Sequence, residues 1–198
     1  HEAIQEDDDL SAVLKKVFFA NISAMEATLN VLSIGELERA VEALDAAERI
    51  YIFGVGGSAP IAIDAAHKLM KTGKAVIAYT DTHMQAMAAS LTRAGDVVIG
   101  ISHSGSSRDI IESLEMARKN GAVTIGLTTH ARAPMDRVLD IKLSTCSNET
   151  FYRTESTSSR IAQLSIIDTL FIVLSLRHLE KALDNLQRTR EAIVPKRY

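Results

Sequence analysis

Several residue types are scarce in this chain of 198 residues, and each scarcity excludes a class of protein. Tryptophan is absent and aromatic residues make up only 5% of the sequence, so a surface on which nucleic-acid bases stack is not expected. The single cysteine, Cys146, excludes a disulfide within the chain and suits a reducing cytoplasm. A net charge of −3 provides no overall attraction to nucleic acid or to an anionic membrane.

Long hydrophobic runs are also lacking. The most apolar stretch, Ile161 to Leu176, is interrupted by Ser165, Asp168 and Thr169. It falls short of the roughly 20 apolar residues that a membrane-spanning helix needs. We therefore expect a buried core helix here and no membrane partner.

The first part of the chain has the apolar spacing of helices. Between Leu10 and Leu32, large apolar residues recur every three or four positions. Ser33 and Glu36 then have the spacing of a capping box, which predicts the start of a second helix. The sequence thus begins with two helices, which we assign to residues 1–47.

From Ile50 onward, short β-branched segments alternate with helical ones. This alternation predicts an α/β fold, in which a five-stranded parallel sheet lies between two helical layers and further helices lie at both ends. The predicted strands, apolar on both faces as in a buried sheet, are Ile50–Val55, Ala75–Tyr79, Asp96–Ser102, Ala122–Leu127 and Leu139–Ser144. The predicted helices are Ser58–Thr72, Thr82–Arg93, Ser107–Asn120, a turn at Pro134–Arg137, and a final helix from about Thr154 to Arg190.

Ligands of such sheets bind at the carboxyl ends of the strands, where two loops are unusual. The first, Gly54 to Pro60, follows the first strand, and its Ser58 is placed to cap the next helix. The same loop also fits the dinucleotide fingerprint G-x-G-x-x-A, with Asp81 about twenty residues on. We favour another ligand, because the chain has no second domain to hold a hydride acceptor.

The second loop, Ser102-His103-Ser104-Gly105-Ser106-Ser107, follows the third strand and carries four hydroxyl groups. Ser106 and Asp109 have capping-box spacing for the helix that begins there. Hydroxyls and free backbone N–H groups at a positive helix terminus suit a phosphate dianion. This loop is the stronger signal, because a plain helix cap does not require so many polar residues.

These two loops resemble those of SIS (sugar isomerase) domains, which bind phosphosugars. Ser102–Ser107 matches the family pattern S-x-S-G-x-[ST], and Gly54–Ser58 matches G-x-G-x-S. The resemblance continues through Asp81–His83, Gly95–Val98 and Ser159–Leu164, and covers nearly the whole chain. It is strongest to the effector domain of RpiR-family bacterial transcription regulators, in which an amphipathic helix follows a helix-turn-helix DNA-binding domain.

The resemblance implies the site and its ligand. It assigns residues 48–198 to a phosphosugar-binding domain and residues 1–47 to linker and dimerisation helices. Glu155 matches, loosely, the region where SIS isomerases place an acid/base glutamate, and it can instead bind a sugar hydroxyl or cap the last helix. The residues expected to bind the sugar phosphate are Gly57, Ser58, Ser102, His103, Ser104, Ser107 and Glu155.

Metal and cofactor binding are not expected. His83 and His103 lie at the predicted ligand edge, but no H-x-x-x-H or Cys–His spacing indicates a zinc site. Arg108 follows the serine-rich loop and faces either the ligand or solvent. Cys146 has no neighbouring base that would make its thiol reactive.

Two functions follow from the resemblance. The first is a non-enzymatic sensor, in which a bound sugar phosphate changes DNA binding by a helix-turn-helix domain expected before His1, where the chain starts without a methionine. The second is an aldose–ketose phosphate isomerase, with Glu155, His83 or His103 as the base. The regulator is favoured by the linker-like first helix.

The apolar surfaces of the helical ends exceed what one small sheet can cover. Leu10–Leu32 and Ile161–Leu176 carry this surplus. Because two-fold pairs are the commonest assemblies, we expect a homodimer or a higher homo-oligomer located in the cytoplasm.

Overall fold

A computed structural model describes residues 4–146 and 157–196, and its centre is a five-stranded parallel sheet of order β2-β1-β3-β4-β5. The α/β fold and its three layers are as predicted. The strands are β1 (Arg49–Gly54), β2 (Ala75–Tyr79), β3 (Asp96–Ser102), β4 (Val123–Thr129) and β5 (Ile141–Thr145). The helices are α1 (Leu10–Val31), α2 (Ile34–Ala46), α3 (Ala59–Leu69), α4 (Thr82–Ser90), α5 (Arg108–Lys119), α6 (Thr157–Arg177) and α7 (Leu179–Ile193).

The two faces of the sheet have separate hydrophobic cores. One face is covered by α2, α3 and α6, whose buried side chains include Leu44, Leu69 and Leu170. The other is covered by α4 and α5, with Leu114 among the fully buried residues. The order of the strands reverses direction between β1 and β3, because the chain turns to β2 after β1 and to β4 after β3. Ligands of doubly wound sheets bind at such a point.

An ion pair between a buried Asp96 and a partly exposed Arg49 joins the amino ends of these two central strands. Arg49 pairs with Asp96 in the register of β1 and β3. The Arg49 guanidinium donates from Nε to Asp96 Oδ1 at 2.9 Å and from Nη2 to Oδ2 at 2.6 Å, and this hydrogen bond raises the Arg49 pKa. Such a two-bond contact holds both strands in one relative position.

Two predictions about elements are wrong in part. Strand β2 lies at the sheet edge and is not apolar and buried on both faces, since Ile77 is 45% exposed. The predicted final helix is two helices, which meet at His178 with φ −130° and ψ 51°. This break lets the His178 ring reach the Asp45 carboxylate at 2.8 Å and buries Ala182. No proline or glycine signals it in the sequence.

The capping box at Ser33 is only half formed. Ser33 Oγ accepts from the Glu36 N–H at 3.3 Å, as predicted. Glu36, however, does not reach back to Ser33: its Oε2 accepts from the Lys142 N–H at 2.9 Å and thereby ties α2 to β5.

By length and composition, Ser159–Arg177 is apolar enough to cross a membrane. One side of α6 nevertheless packs within the protein, with Ile166, Ile167, Leu170 and Leu174 buried against the sheet, while Ile172 and Leu176 are exposed. It is thus the core helix that its polar interruptions predict.

Candidate functional site

The two unusual loops lie side by side at the carboxyl edge of the sheet. The glycine loop (Val55–Ser58) leaves β1 and the serine loop (His103–Ser107) leaves β3. Because β1 and β3 are parallel neighbours, with Gly54 opposite Ile101, the loops meet at the point where the strand order reverses. The sequence-based expectation that these loops share one site is therefore matched by the topology.

The glycine loop passes directly into α3. Gly54 needs its lack of a side chain, because a β-carbon there would lie 2.7 Å from the Ser58 carbonyl oxygen. Ser58 is the N-cap of α3, as predicted, but its side chain makes no capping hydrogen bond. Gly57 is exposed and Ser58 is half-buried, so both are open to a ligand.

The serine loop is a tight turn with buried and open parts. Ser102 is buried at the end of β3, and its carbonyl accepts from the Gly105 N–H at 3.2 Å. Ser104 is exposed, and its Oγ lies 2.7 Å from Ser106 Oγ. Ser107 is half-buried at the start of α5. The loop therefore presents hydroxyls at its rim, while the N–H groups of Gly105 and Ser106 are used within the turn.

The predicted capping box of Ser106 and Asp109 is wrong. The N-cap of α5 is Ser107, and its side chain makes no capping hydrogen bond. By contrast, Asp9, Ser33 and Asp81 each cap their helices by accepting a backbone N–H. The two helices that begin beside the loops thus lack a side-chain cap, as does α7 elsewhere in the described residues. At α3 the Ala59 N–H donates to the Gly56 carbonyl and Pro60 has no N–H, so the start of α5 is the better anion-binding helix terminus.

Two residues outside the two loops contact the glycine loop or the strand that leads into it, and sequence reasoning missed their roles. Arg160, near the start of α6, lies against the glycine loop: a β-carbon on Gly57 would be 3.0 Å from its Nη2. Gln85 is fully buried and donates from Nε2 to the carbonyls of Tyr79 (2.8 Å) and Gly54 (3.4 Å), which holds the ends of β1 and β2. The only sequence signal for either residue is a polar side chain on an apolar helix.

The remaining candidate residues are engaged by other groups of the protein or lie outside the described residues. His103 is half-buried, and its carbonyl accepts from the Thr129 N–H at 3.0 Å. Arg108 is engaged by Glu112 at 2.6 Å, and this hydrogen bond raises the Arg108 pKa. The Asp81 carboxylate accepts from the Met84 N–H at 2.9 Å and so serves as a helix cap, not as the ribose contact of a dinucleotide site. Glu155 lies outside the described residues.

No metal cluster is found within residues 4–146 and 157–196, where no three His, Cys, Asp or Glu side chains lie close enough together to hold an ion. The chemistry available at the described part of the site consists of hydroxyls, backbone N–H groups and the guanidinium of Arg160. All of these can donate hydrogen bonds, which suits an anionic ligand rich in acceptor oxygens.

Comparison with known proteins identifies the family suggested by the two loops. A family model described as the SIS domain matches residues 43–173. An uncharacterized HTH-type transcriptional regulator of Caldanaerobacter subterraneus subsp. tengcongensis is 37% identical over 190 residues, which are 96% of this chain and 67% of the relative.

Solved structures of regulators and of an isomerase have a similar fold. The Vibrio vulnificus NanR protein complexed with ManNAc-6P has a TM-score of 0.88 at 26% identity, covering 98% of this chain and 71% of NanR. The sugar isomerase domain of an RpiR transcription factor from Sphaerobacter thermophilus has a TM-score of 0.83 at 25% identity, covering 90% of this chain and 98% of that chain. Phosphoheptose isomerase of Neisseria gonorrhoeae, at 23% identity and a TM-score of 0.71, shares the fold.

Proposed function

This chain belongs to the SIS domain family, and from that membership we propose that it is the sugar-phosphate-sensing effector domain of a transcriptional regulator of carbohydrate metabolism. The observation that carries the proposal is the meeting of the glycine and serine loops, each leading into a helix without a side-chain cap. NanR, which is similar over 98% of this chain, was solved with a sugar phosphate.

The phosphate is held by the serine loop. Its oxygens accept from the hydroxyls of Ser104 and Ser107 and from the free N–H groups at the start of α5, whose partial positive charge favours a dianion. Ser58, Gly57 and Arg160 close the other side from the glycine loop and α6. The side chains of Ser102 and His103 and that of Glu155 complete the set that we propose for the ligand.

The regulatory role follows from the relatives. Residues 48–198 bind the ligand, and residues 1–47 link this domain to a helix-turn-helix domain and to a second copy of the chain. DNA is contacted only through the helix-turn-helix domain. A sensor of this kind works in the cytoplasm, in keeping with its single cysteine.

A melting experiment tests the proposal. A ligand that binds only the folded chain stabilises it by about 2.7 kcal/mol at roughly 100 times Kd. For a domain of this size that raises Tm by roughly 5–11 °C. We expect such a shift with a sugar phosphate from a panel of hexose and pentose phosphates that includes ManNAc-6P, and none with the unphosphorylated sugars. Equal shifts with both sets contradict phosphate recognition.

We also propose that the chain is not an isomerase. The relative at 37% identity is a regulator, whereas the isomerase named above lies below 25% identity and shares the fold alone. Incubation of the chain with the same sugar phosphates should give no sustained aldose–ketose conversion. Turnover that disappears in Glu155→Gln would make the chain an enzyme and refute this part of the proposal.

A further inference from the structure

Helix α1 packs along α6 and touches β5, but most of its large apolar side chains are exposed. Its only buried side chains are Ala24 and Thr28, while Leu10, Phe18 and Leu29 are 86%, 62% and 77% exposed. Attachment therefore depends on the carboxyl-terminal part of the helix, where Thr28 is 4% exposed. A helix with so small a buried face can be docked or released at modest cost in free energy.

Thr28 makes an unusual pair of hydrogen bonds across 118 positions of the sequence. Its Oγ1 accepts from the Cys146 N–H at 3.0 Å and donates to the Cys146 carbonyl at 3.2 Å. One hydroxyl thus satisfies both backbone groups of the residue that follows β5. Since β5 is parallel to β3, Cys146 lies at the same edge of the sheet as the serine loop.

Backbone hydrogen bonds connect this contact to the serine loop. The His103 carbonyl accepts from the Thr129 N–H at 3.0 Å, at the end of β4. The next N–H, that of His130, donates to the Thr145 carbonyl at 2.7 Å, at the end of β5. Cys146 follows directly. The loop and α1 are therefore joined through the ends of two neighbouring strands.

We propose that Thr28 is the positioning residue that couples phosphate binding in the serine loop to the docking of α1. The inference rests on the proposed function, and it specifies how the site is connected to the linker helix. Phosphate in the loop fixes His103 and the strand ends beyond it, which holds Cys146 in place to bond Thr28. Ligand binding and helix docking then favour each other, as linked equilibria must.

Amide hydrogen exchange of the whole chain, with and without inorganic phosphate at matched ionic strength, tests the coupling. The loop amides of residues 103–107 report whether phosphate is bound there. We expect phosphate to slow exchange in residues 24–31 by about fivefold or more, the lower end of typical couplings. Loop protection without any effect on residues 24–31 overturns this inference alone. Loss of loop protection overturns the proposed function and this inference with it.

Variants separate coupling from simple support of the fold. Thr28→Val keeps the side-chain shape but removes both bonds to Cys146, and should abolish the phosphate effect on residues 24–31 while loop protection persists. Thr28→Ser keeps the hydroxyl and should restore the effect. Thr169→Val is the matched control, because Thr169 lines the same α1–α6 groove but donates only to Ser165 in its own helix. Identical behaviour of Thr28→Val and Thr169→Val would refute the role of Thr28.

Discussion

The guanidinium of Arg160 rests on the backbone of Gly57, so that a β-carbon at this glycine would lie 3.0 Å from Arg160 Nη2. This contact joins the start of the core helix α6 to the loop that follows β1. It also places a positive charge beside a helix terminus that has no side-chain cap. An anionic ligand bound as proposed would have this cation and the positive helix end beside it.

Removing the guanidinium should weaken sugar-phosphate binding without unfolding the chain. A hydrogen bond to a charged group contributes about 1.5–3 kcal/mol, so Arg160→Met should raise Kd by roughly 10- to 150-fold. Gly57→Ala should act in the same direction by displacing the guanidinium. Arg108→Met is the control, because Arg108 is bound to Glu112 and its side chain is 87% exposed. Titration calorimetry measures each Kd, and equal values for Arg160→Met and Arg108→Met contradict a role for Arg160.

The hydroxyl of Ser104 should matter for the ligand and hardly at all for the fold. Its only bonds given by the structure are to Ser106, and the residue is exposed. Ser104→Ala should therefore change the unfolding free energy by no more than about 0.5 kcal/mol. The same variant should remove at least half of the rise in Tm that a sugar phosphate produces. Ser90→Ala, whose hydroxyl is bound within α4, should keep the full rise.

Gly105 should tolerate no side chain. Its φ of +63° costs an L-residue about 1–2 kcal/mol, and its added β-carbon would lie 2.6 Å from Ala133 Cβ and 2.8 Å from Thr128 Oγ1. With about 1–3 kcal/mol for overpacking, Gly105→Ala should lower the unfolding free energy by roughly 2–5 kcal/mol. Gly56 has φ +53° and nothing within 4 Å, so Gly56→Ala should show the backbone cost alone. Urea unfolding measures the loss of unfolding free energy in both variants. Equal losses in Gly105→Ala and Gly56→Ala would refute the clash at Gly105.

The sequence was sufficient for the class of fold and for the pairing of the two loops, because both depend on local patterns. Strands β2 and β3 begin and end where the sequence predicts. Membership of the SIS family, inferred from the serine and glycine loops, is confirmed by the family match. The predicted helix caps were wrong beside the two loops: the N-cap of α5 is Ser107 and not Ser106, and neither Ser107 nor Ser58 makes a side-chain capping hydrogen bond.

Long-range contacts could not be predicted from one sequence. The pairing of Thr28 with Cys146 and of Arg160 with Gly57 joins residues about a hundred positions apart, and no local pattern encodes it. The break at His178 is likewise a tertiary effect, since it places the imidazole on Asp45 of α2. The division at residue 47 and the roles of the site residues stay predictions.

The exposed apolar face of α1 should hold two copies of the chain together. Phe18 is 62% exposed on this face, and α6 adds Ile172 and Leu176 at 52% and 64%. We expect a second copy of the chain to bury this face, because in a two-fold dimer the same apolar patch of each copy packs against that of the other. Phe18→Glu would place a charge in that interface, and the mass measured by light scattering should fall to that of one chain. Leu183→Glu, on α7 at a similar 57% exposure, should leave the mass unchanged. A monomeric parent chain, or monomers with both variants, would contradict pairing through α1.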